Sequence, residues 1–523
     1  MESGVQSEPR ANERTALVLL AALIILALVL RFWHLGTWNF QATEVFTWRD
    51  SRMPQFRNPR PLGYLLNYFL VRPFLPLDEF GLRIIPAIAG VLTIPAMYLV
   101  SRALIGWRGA LMATLLLTVN PLHILYSQLA RYWSLVFLLC TIYPYALYLG
   151  IRRRSAGLVV LGLITCGLAM LAHPVSMLLL GGFGIWAAVT YLRGVDLVQS
   201  WRQAWARPGF RWGLLAATVV SVLVLARLIR LLQGWIAEHH GHVGGQFLSR
   251  PTPQGLKQIV FLAAFTDQLL LPLVIVGVAG VYLLWRERDG SLALLLTSLA
   301  AFPLVFIPLL SLRTPVSTYY VLPTAPVFFM GAGAFFERLF RVEWRSLPRW
   351  VVPATIAVLV VLAGLPTLLS DYRDGRRYDF RGVAHWILKE KSPGDPVFSD
   401  QPVVMKHYLP DAAVQHLRHD TTAFRQWLDG HQPGSPEALW VVAPTPSHAF
   451  RSNLKKGGLI DWLQQNCQLS YTRGVGRMDL RQNYLDVYRC PPAPEGGSRP
   501  GQTSRSGDPT TPRRTARLRP AGM

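Results

Sequence analysis

The stretch "FQATEVFTWRD", residues 40–50, sets one carboxylate, Glu44, among aromatic side chains just after the first strongly apolar run of the chain. A carboxylate partly desolvated by Phe40, Phe46 and Trp48 has a raised pKa and suits a general base acting on an acceptor hydroxyl. The competing reading pairs Glu44 with Arg49 or Arg52 at the interface. Asp50 sits within the same Arg-rich run and reads first as a surface ion pair, second as an alternative base. Arginine has the planar fork that phosphate takes bidentately, and four positions invite that use: Arg60 in the first loop, Arg131 in "NPLHILYSQLARYW" (120–133), and Arg227 and Arg230 one helical turn apart. Each has a second reading as a side chain snorkelling to the interface. The run "GWIAEHHGHVGG" (234–245) collects Glu238, His239, His240 and His242, a metal-binding set by residue type but not by spacing, since adjacent histidines rarely face one metal. No metal site is assigned, and dependence on a divalent metal stays open. "AHP" (172–174), His123, Gln128 and Arg313 complete the polar residues that gather at the same ends of the apolar runs.

Such groups need a scaffold, and the composition names its solvent. With 51% hydrophobic and 15% charged residues over 523 positions, the chain has too much apolar surface for a soluble protein. The apolar residues come in continuous blocks rather than alternating ones, which argues for membrane helices and against a β-barrel. Eleven crossings are expected near 15–33, 84–101, 109–126, 132–150, 156–172, 175–192, 212–231, 267–285, 291–311, 319–338 and 350–370, with an interfacial helix over 61–77. The first 14 residues are polar and no small-residue cleavage site follows, so the first helix reads as retained. Arg-rich short loops alternate with nearly Arg-free ones, which places the chain start inside and the C-terminal region outside. The net charge of +23 therefore reads as topology and anionic lipid, not nucleic acid. The first loop, 34–83, carries six Arg against that pattern, and a phosphate-bearing partner at the outer surface would account for them.

Beyond Ser370 the sequence becomes mixed polar and aromatic, with strand-like runs at 438–444 and 484–490 and helix-like ones at 380–391 and 454–466, the pattern of a small α/β domain. The expected organisation is a cytoplasmic start (1–14), a membrane domain (15–370), an extracytoplasmic α/β domain (371–490) and a disordered basic tail (491–523). Cys467 and Cys490 share that domain and can pair if it is extracytoplasmic; Cys140 and Cys166 lie in apolar runs. No nucleotide-binding loop, catalytic Ser motif, CxxC pair or inverted repeat is present, which disfavours nucleotide-driven transport.

The order "LRFWHLGTWNFQATEVFTW", "NPRPLGYLLNYFL", "DEFGLRIIPAIAGV…NPLHILYSQLARYWSL" and "DYRDGRRYDFRGVAHWILKEKSPGD" resembles the bacterial family 39 glycosyltransferases, membrane enzymes of the GT-C class related to protein O-mannosyltransferases and lipid A aminoarabinose transferases. The likeness is strongest over 30–140. It implies a helical bundle with interfacial helices in the first external loop and often a periplasmic domain. It also implies a polyprenyl-phosphate-linked sugar as donor, transferred usually with inversion to an envelope lipid, glycan or protein at the outer face of the bacterial inner membrane. By that resemblance Glu44 is the candidate base, Arg131 with Arg227 or Arg230 handles donor phosphate, and the loop of Glu238, His239 and His242 lies on the acceptor side. The family's first-loop Asp-Glu is Thr43-Glu44 here, its His-Pro-Pro is Asn58-Pro59-Arg60-Pro61, and its Ser-Gln-Glu-Ala-Arg is Ser127-Gln128-Leu129-Ala130-Arg131. A member that binds polyprenyl-linked glycan without transfer, and a lipid or solute transporter, are the rival readings.

Overall fold

The computed structural model describes residues 10–193, 211–212, 269–287, 290–311, 318–343, 347–374, 378–417, 438–444, 459–474 and 484–490, apart from 55, 57 and 59. The membrane part comprises α1 (Arg10–Phe32), α2 (Ala42–Asp50), α3 (Pro61–Leu66, continued by a π turn Asn67–Val71), α4 (Gly81–Ile105), α5 (Trp107–Val119), α6 (Pro121–Ser127), α7 (Trp133–Arg152), α8 (Ala156–Ala172), α9 (Leu178–Leu192), α10 (Leu271–Trp285), α11 (Ser291–Ser311), α12 (Ala325–Leu339) and α13 (Val351–Asp374). Seven helices are long and apolar enough to cross a membrane, or eight if the bent pair α5–α6 is one span. Helix stands at ten of the eleven expected crossings; the eleventh, 212–231, lies outside the described residues beyond its first position.

Lateral position follows from burial. In α7 and in the span Tyr319–Leu339, 83% of the apolar window is buried, against 22% for α1 and α13, so the former pair forms the centre and the latter pair faces lipid. In hydrocarbon the apolar effect cannot drive helices together, and close backbone approach does so instead. At the α10–α12 crossing a Cβ on Gly280 would collide with the carbonyl of Gly331.

Two expected elements differ. The expected crossing 109–126 is broken at Asn120–Pro121 and bends by 61°, because Pro121 cannot donate into the helix while the Asn120 side chain caps the new one by accepting from the His123 N–H at 3.1 Å. The break frees carbonyls at membrane depth, and Arg31, fully buried at the end of α1, donates to those of Thr118 (3.2 Å) and Leu117 (3.5 Å). The expected interfacial helix 61–77 stops at Val71, ahead of Arg72 and Pro73.

The short basic loops share one end of the bundle. Arg102 pairs with Glu13, Arg153 donates to the Ala103 carbonyl, and Arg338 pairs with Glu287. The first loop, the turn after α6, His173 and the end of α13 share the other.

At that second end stands the α/β domain: α14 (Phe380–Glu390), β1 (Val397–Ser399), α15 (Pro402–Tyr408), β2 (Val414–His416), β3 (Leu439–Pro444), α16 (Leu459–Asn466), β4 (Gln468–Arg473) and β5 (Leu485–Cys490). The sheet order is β2-β1-β3-β5-β4; β1 runs parallel to β2 and β3, and β5 antiparallel to β3 and β4. One sheet face packs on α16. The other packs on α14 and α15 in a core that also takes in Phe40, Val45, Leu82 and Ala130, so the domain and the first loop share buried apolar surface. Tyr408 pins the junction: its hydroxyl accepts from the Phe40 N–H (2.7 Å) and donates to Glu79 (2.8 Å), which also pairs with Arg381.

Cys467 and Cys490 form a disulfide that ties the start of β4 to the end of β5. Closing a loop of 23 residues' separation contributes about 3 kcal/mol on the chain-entropy estimate. Cys467→Ser should lower the stability of this domain by about that much, read from thermal unfolding. In unreduced protein neither cysteine should take a thiol label, and full labelling of both would show that the bond does not form.

Candidate active site

Glu44 lies in the first turn of α2 and is completely buried. Its Oε1 accepts from Arg83 Nε (3.0 Å) and the Ala130 N–H (2.8 Å); its Oε2 accepts from the Gln41 N–H (2.9 Å) and Arg83 Nη2 (3.3 Å). Arg83, also buried, spends its remaining donors on the carbonyls of Leu35 (2.9 Å), Trp38 (2.8 Å) and Asn39 (3.1 Å). All five guanidinium N–H groups are used. The partner is thus Arg83, at the start of α4, and neither Arg49 nor Arg52: Arg49 pairs with Asp50 and Arg52 lies over the Trp48 ring. Nor is Glu44 the half-open carboxylate that its aromatic neighbours suggest. Both oxygens are taken up in joining three stretches of chain, the start of α2, the start of α4 and the turn after α6.

The open chemistry lies on the other face of α2. Thr43, Thr47 and Asp50 follow at i, i+4 and i+7 and share a side of the helix. Arg131 Nη1 donates to the Thr43 carbonyl (2.9 Å) and to Thr47 Oγ1 (3.2 Å), which docks the turn after α6 against that side. Its Nη2 donates to the Tyr132 hydroxyl at 3.0 Å. Arg60, from the N-terminal end of α3, donates to the same hydroxyl. Two guanidinium groups therefore converge on one phenol oxygen, and among the described residues no carboxylate pairs with either. With its lone pairs taken, the phenol has its own proton left to donate outward. Arg131 and Tyr132 line a small cleft with Thr47, Tyr64 and Asn67. Burial raises the pKa of the Tyr64 phenol while the charge of Arg131 opposes the shift, and Asp50 is close enough to add to it. Asp50 itself is 17% exposed and holds Arg49 through Oδ1, with Oδ2 lacking a hydrogen-bond partner among the described residues.

His173 stands next to Tyr132, behind the residues that line the cleft. It ends α8, as expected for a residue held extended by the following proline, and its ring packs on Tyr132 (4.9 Å), Trp133 (4.8 Å) and Tyr320 (5.7 Å). Burial first, then the charges of Arg60 and Arg131, push its pKa well below the usual histidine value. Nδ1 accepts from the Val175 N–H (3.1 Å), while Nε2 is buried with no partner among the described residues.

Of the residues singled out from sequence, the structure brings Arg60 and Arg131 together, sets Asp50 on the α2 face docked by Arg131, and withdraws Glu44. Arg227, Arg230, Glu238, His239 and His242 lie outside the described residues. Among the described residues no three His, Cys, Asp or Glu side chains gather as metal ligands. Arg83, Tyr132 and Tyr64 were not marked as site residues by their sequence. For Arg83 the available sign was its place in the first turn of a long apolar helix, where a charge must find a partner.

Removing one member of a fully buried ion pair leaves the other uncompensated, at a cost of about 3–5 kcal/mol. Glu44→Gln should lower stability by that order, measured as the thermal midpoint of the purified protein in detergent. An unchanged midpoint would show that the pair does not hold the loop.

Residues 68–241 match the family model described as dolichyl-phosphate-mannose-protein mannosyltransferase. No curated protein sequence matches the chain. Among solved structures, ArnT from Cupriavidus metallidurans in the apo state is similar with a TM-score of 0.57 at 14% identity, over 92% of this chain and 98% of that one. The same protein bound to undecaprenyl phosphate gives 0.56 at 14% identity, over 90% and 97%. The oligosaccharyltransferase of Archaeoglobus fulgidus in the apo form gives 0.50 at 14% identity, over 82% and 69%. Identities this low speak to the fold. The chain has the fold of the GT-C glycosyltransferases, and its resemblance to that class, first legible in the first loop and the "QLARYW" turn, is borne out.

Proposed function

We propose that this protein is a membrane glycosyltransferase that takes a sugar from a polyprenyl-phosphate carrier and delivers it, with the inversion usual in the class it resembles, to an envelope lipid, glycan or protein. The observation that carries the reading is the convergence of Arg60 and Arg131 on the Tyr132 hydroxyl, with no neutralising carboxylate among the described residues, beside a small cleft at one end of a membrane bundle. Such a site attracts a ligand that brings its own negative charge, and a lipid-linked phosphodiester reaches it from the bilayer. The ArnT fold match, one structure of which holds undecaprenyl phosphate, supports the same ligand class.

In the proposed reaction the acceptor hydroxyl attacks the anomeric carbon. The carbon–oxygen bond to phosphate breaks, and the polyprenyl phosphate leaves with one further negative charge. Arg60 and Arg131 match that added charge, the term that lowers the barrier most where donors are already in place. Asp50 takes the hydroxyl proton, since its Oδ2 is unoccupied and its helix face is docked against Arg131. Glu44 acts at one remove, by holding α2. Arg227 and Arg230 are proposed as further phosphate contacts, and the loop with Glu238, His239 and His242 as the acceptor side. The C-terminal domain is assigned to the outside of a bacterial inner membrane, in keeping with the Cys467–Cys490 bond.

The purified protein, given polyprenyl-phosphate sugars and candidate acceptors, should release free polyprenyl phosphate. Asp50→Asn should cut turnover by roughly 10²–10⁴-fold while donor binding persists, the range for a general base. Arg131→Ala should weaken donor binding by roughly 10–150-fold, the range for a hydrogen bond to a charged group. A full rate in Asp50→Asn would remove Asp50 from the mechanism. Donor binding with no turnover in the native protein would favour the non-transferring reading.

A further inference from the structure

The mechanism above makes no use of His173. Its surroundings are nevertheless specific. Because Nδ1 accepts from the Val175 N–H, the ring carries its proton on Nε2. The ring that carries Nε2 packs against the aromatic wall of Tyr132 and Tyr320. There it is buried without a partner among the described residues, in a side chain only 6% exposed. A buried donor left unsatisfied destabilises the empty protein, and such groups concentrate where a ligand satisfies them. The neighbouring polar groups are Arg60, Arg131 and the outward Tyr132 hydroxyl, all donors. A ligand that offers several acceptors and a negative charge suits this set, which describes a phosphodiester.

We infer that His173 Nε2–H is a fourth donor to the phosphate of the lipid-linked substrate, a neutral one set beside two cationic ones. The inference rests on the phosphate reading given above and deepens it. Neutrality has a consequence: burial and the two flanking guanidiniums keep the imidazole from charging, so its contribution does not titrate across the working pH range. The ring donates a directed hydrogen bond without adding a third positive charge that the departing polyprenyl phosphate would have to escape.

Two substitutions separate this role from a structural one. Asn places its carboxamide oxygen near the position of Nδ1 and can keep the Val175 contact, but has no atom at Nε2. Gln can place an N–H near the position of Nε2. Binding of polyprenyl phosphate to the full chain in detergent, with thermal midpoints as control, should be weakened roughly 3- to 10-fold in His173→Asn. His173→Gln should stay within about twofold of the native protein, that is, less than the loss of one neutral hydrogen bond. The ratio of native to Asn affinity should be constant from about pH 5.5 to 8, the range in which an ordinary histidine would titrate. Native affinity in His173→Asn beside a weakened Arg131→Ala overturns the inference alone. Native affinity in both overturns the phosphate reading as well. Equal weakening in Asn and Gln, or a ratio that changes with pH, assigns His173 to packing or to charge and also overturns it.

Discussion

The buried pair of Glu44 and Arg83 is the constraint on which the outer end of this bundle depends. The first loop must leave the bundle at α1, lay a short helix on its surface, and return at α4. A nine-residue helix has too little intrinsic stability to do this alone. The pair supplies what propensity does not: Arg83 gathers the carbonyls of residues 35–39, and Glu44 gathers the start of α2 and the Ala130 amide. Such a pair is a weak source of net stability, because both charges lose water. Its value lies in geometry, since a charge this deep tolerates one arrangement of its neighbours and no other.

Arginine appears here in three environments, and the differences sort structure from chemistry. Arg31 is buried and turned to backbone carbonyls that a broken helix leaves open, and its Nη2 also donates to the His123 ring at 2.7 Å. Arg83 is buried and neutralised by a carboxylate. Arg60 and Arg131 are half-buried, and a phenol and neutral oxygens are what the chain offers them. The first two are spent on the protein's own acceptors. The last two are incomplete, and a cleft beside incomplete cations is where an anion belongs.

Much of this was legible in the sequence. Continuous apolar blocks announce membrane helices wherever they fall, because hydrocarbon leaves the backbone no other solution. The strand runs 438–444 and 484–490 carried their own pattern and appear as β3 and β5. Arg60 drew attention because an excess of positive charge in an outer loop asks for a reason, and Arg131 because it opens a helix at the outer interface. The role of Glu44 was not readable, since "TEVFTW" shows aromatic neighbours within four residues and says nothing of an arginine 39 positions away. The break at Asn120–Pro121 was hidden by hydropathy, which counts apolar residues and is blind to whether carbonyls find donors. Tyr132 escaped notice because a tyrosine at a membrane surface is ordinary, and its significance comes from the two arginines that it joins.

The position of Thr43 shapes how the proposed reaction must run. In the class this chain resembles, an acidic residue stands there, next to the glutamate. Here the nearest carboxylate on that side of α2 is Asp50, which holds Arg49 through one oxygen and stands seven residues on, or about 10 Å along a helix. Sliding α2 to bring Asp50 back is excluded by how it is held. Glu44 fixes its first turn from below. From above, the Tyr408 hydroxyl holds the Phe40 amide, and the His407 ring packs between Phe40 (5.2 Å) and Trp48 (4.7 Å). The helix is clamped between the membrane domain and the α/β domain. If Asp50 is the base, the acceptor hydroxyl approaches from the C-terminal end of α2, next to Tyr64 and Asn67, and not over Thr43. The α/β domain thus bears on that face of α2 without belonging to it, because α15 and the start of α2 are set by the same contacts.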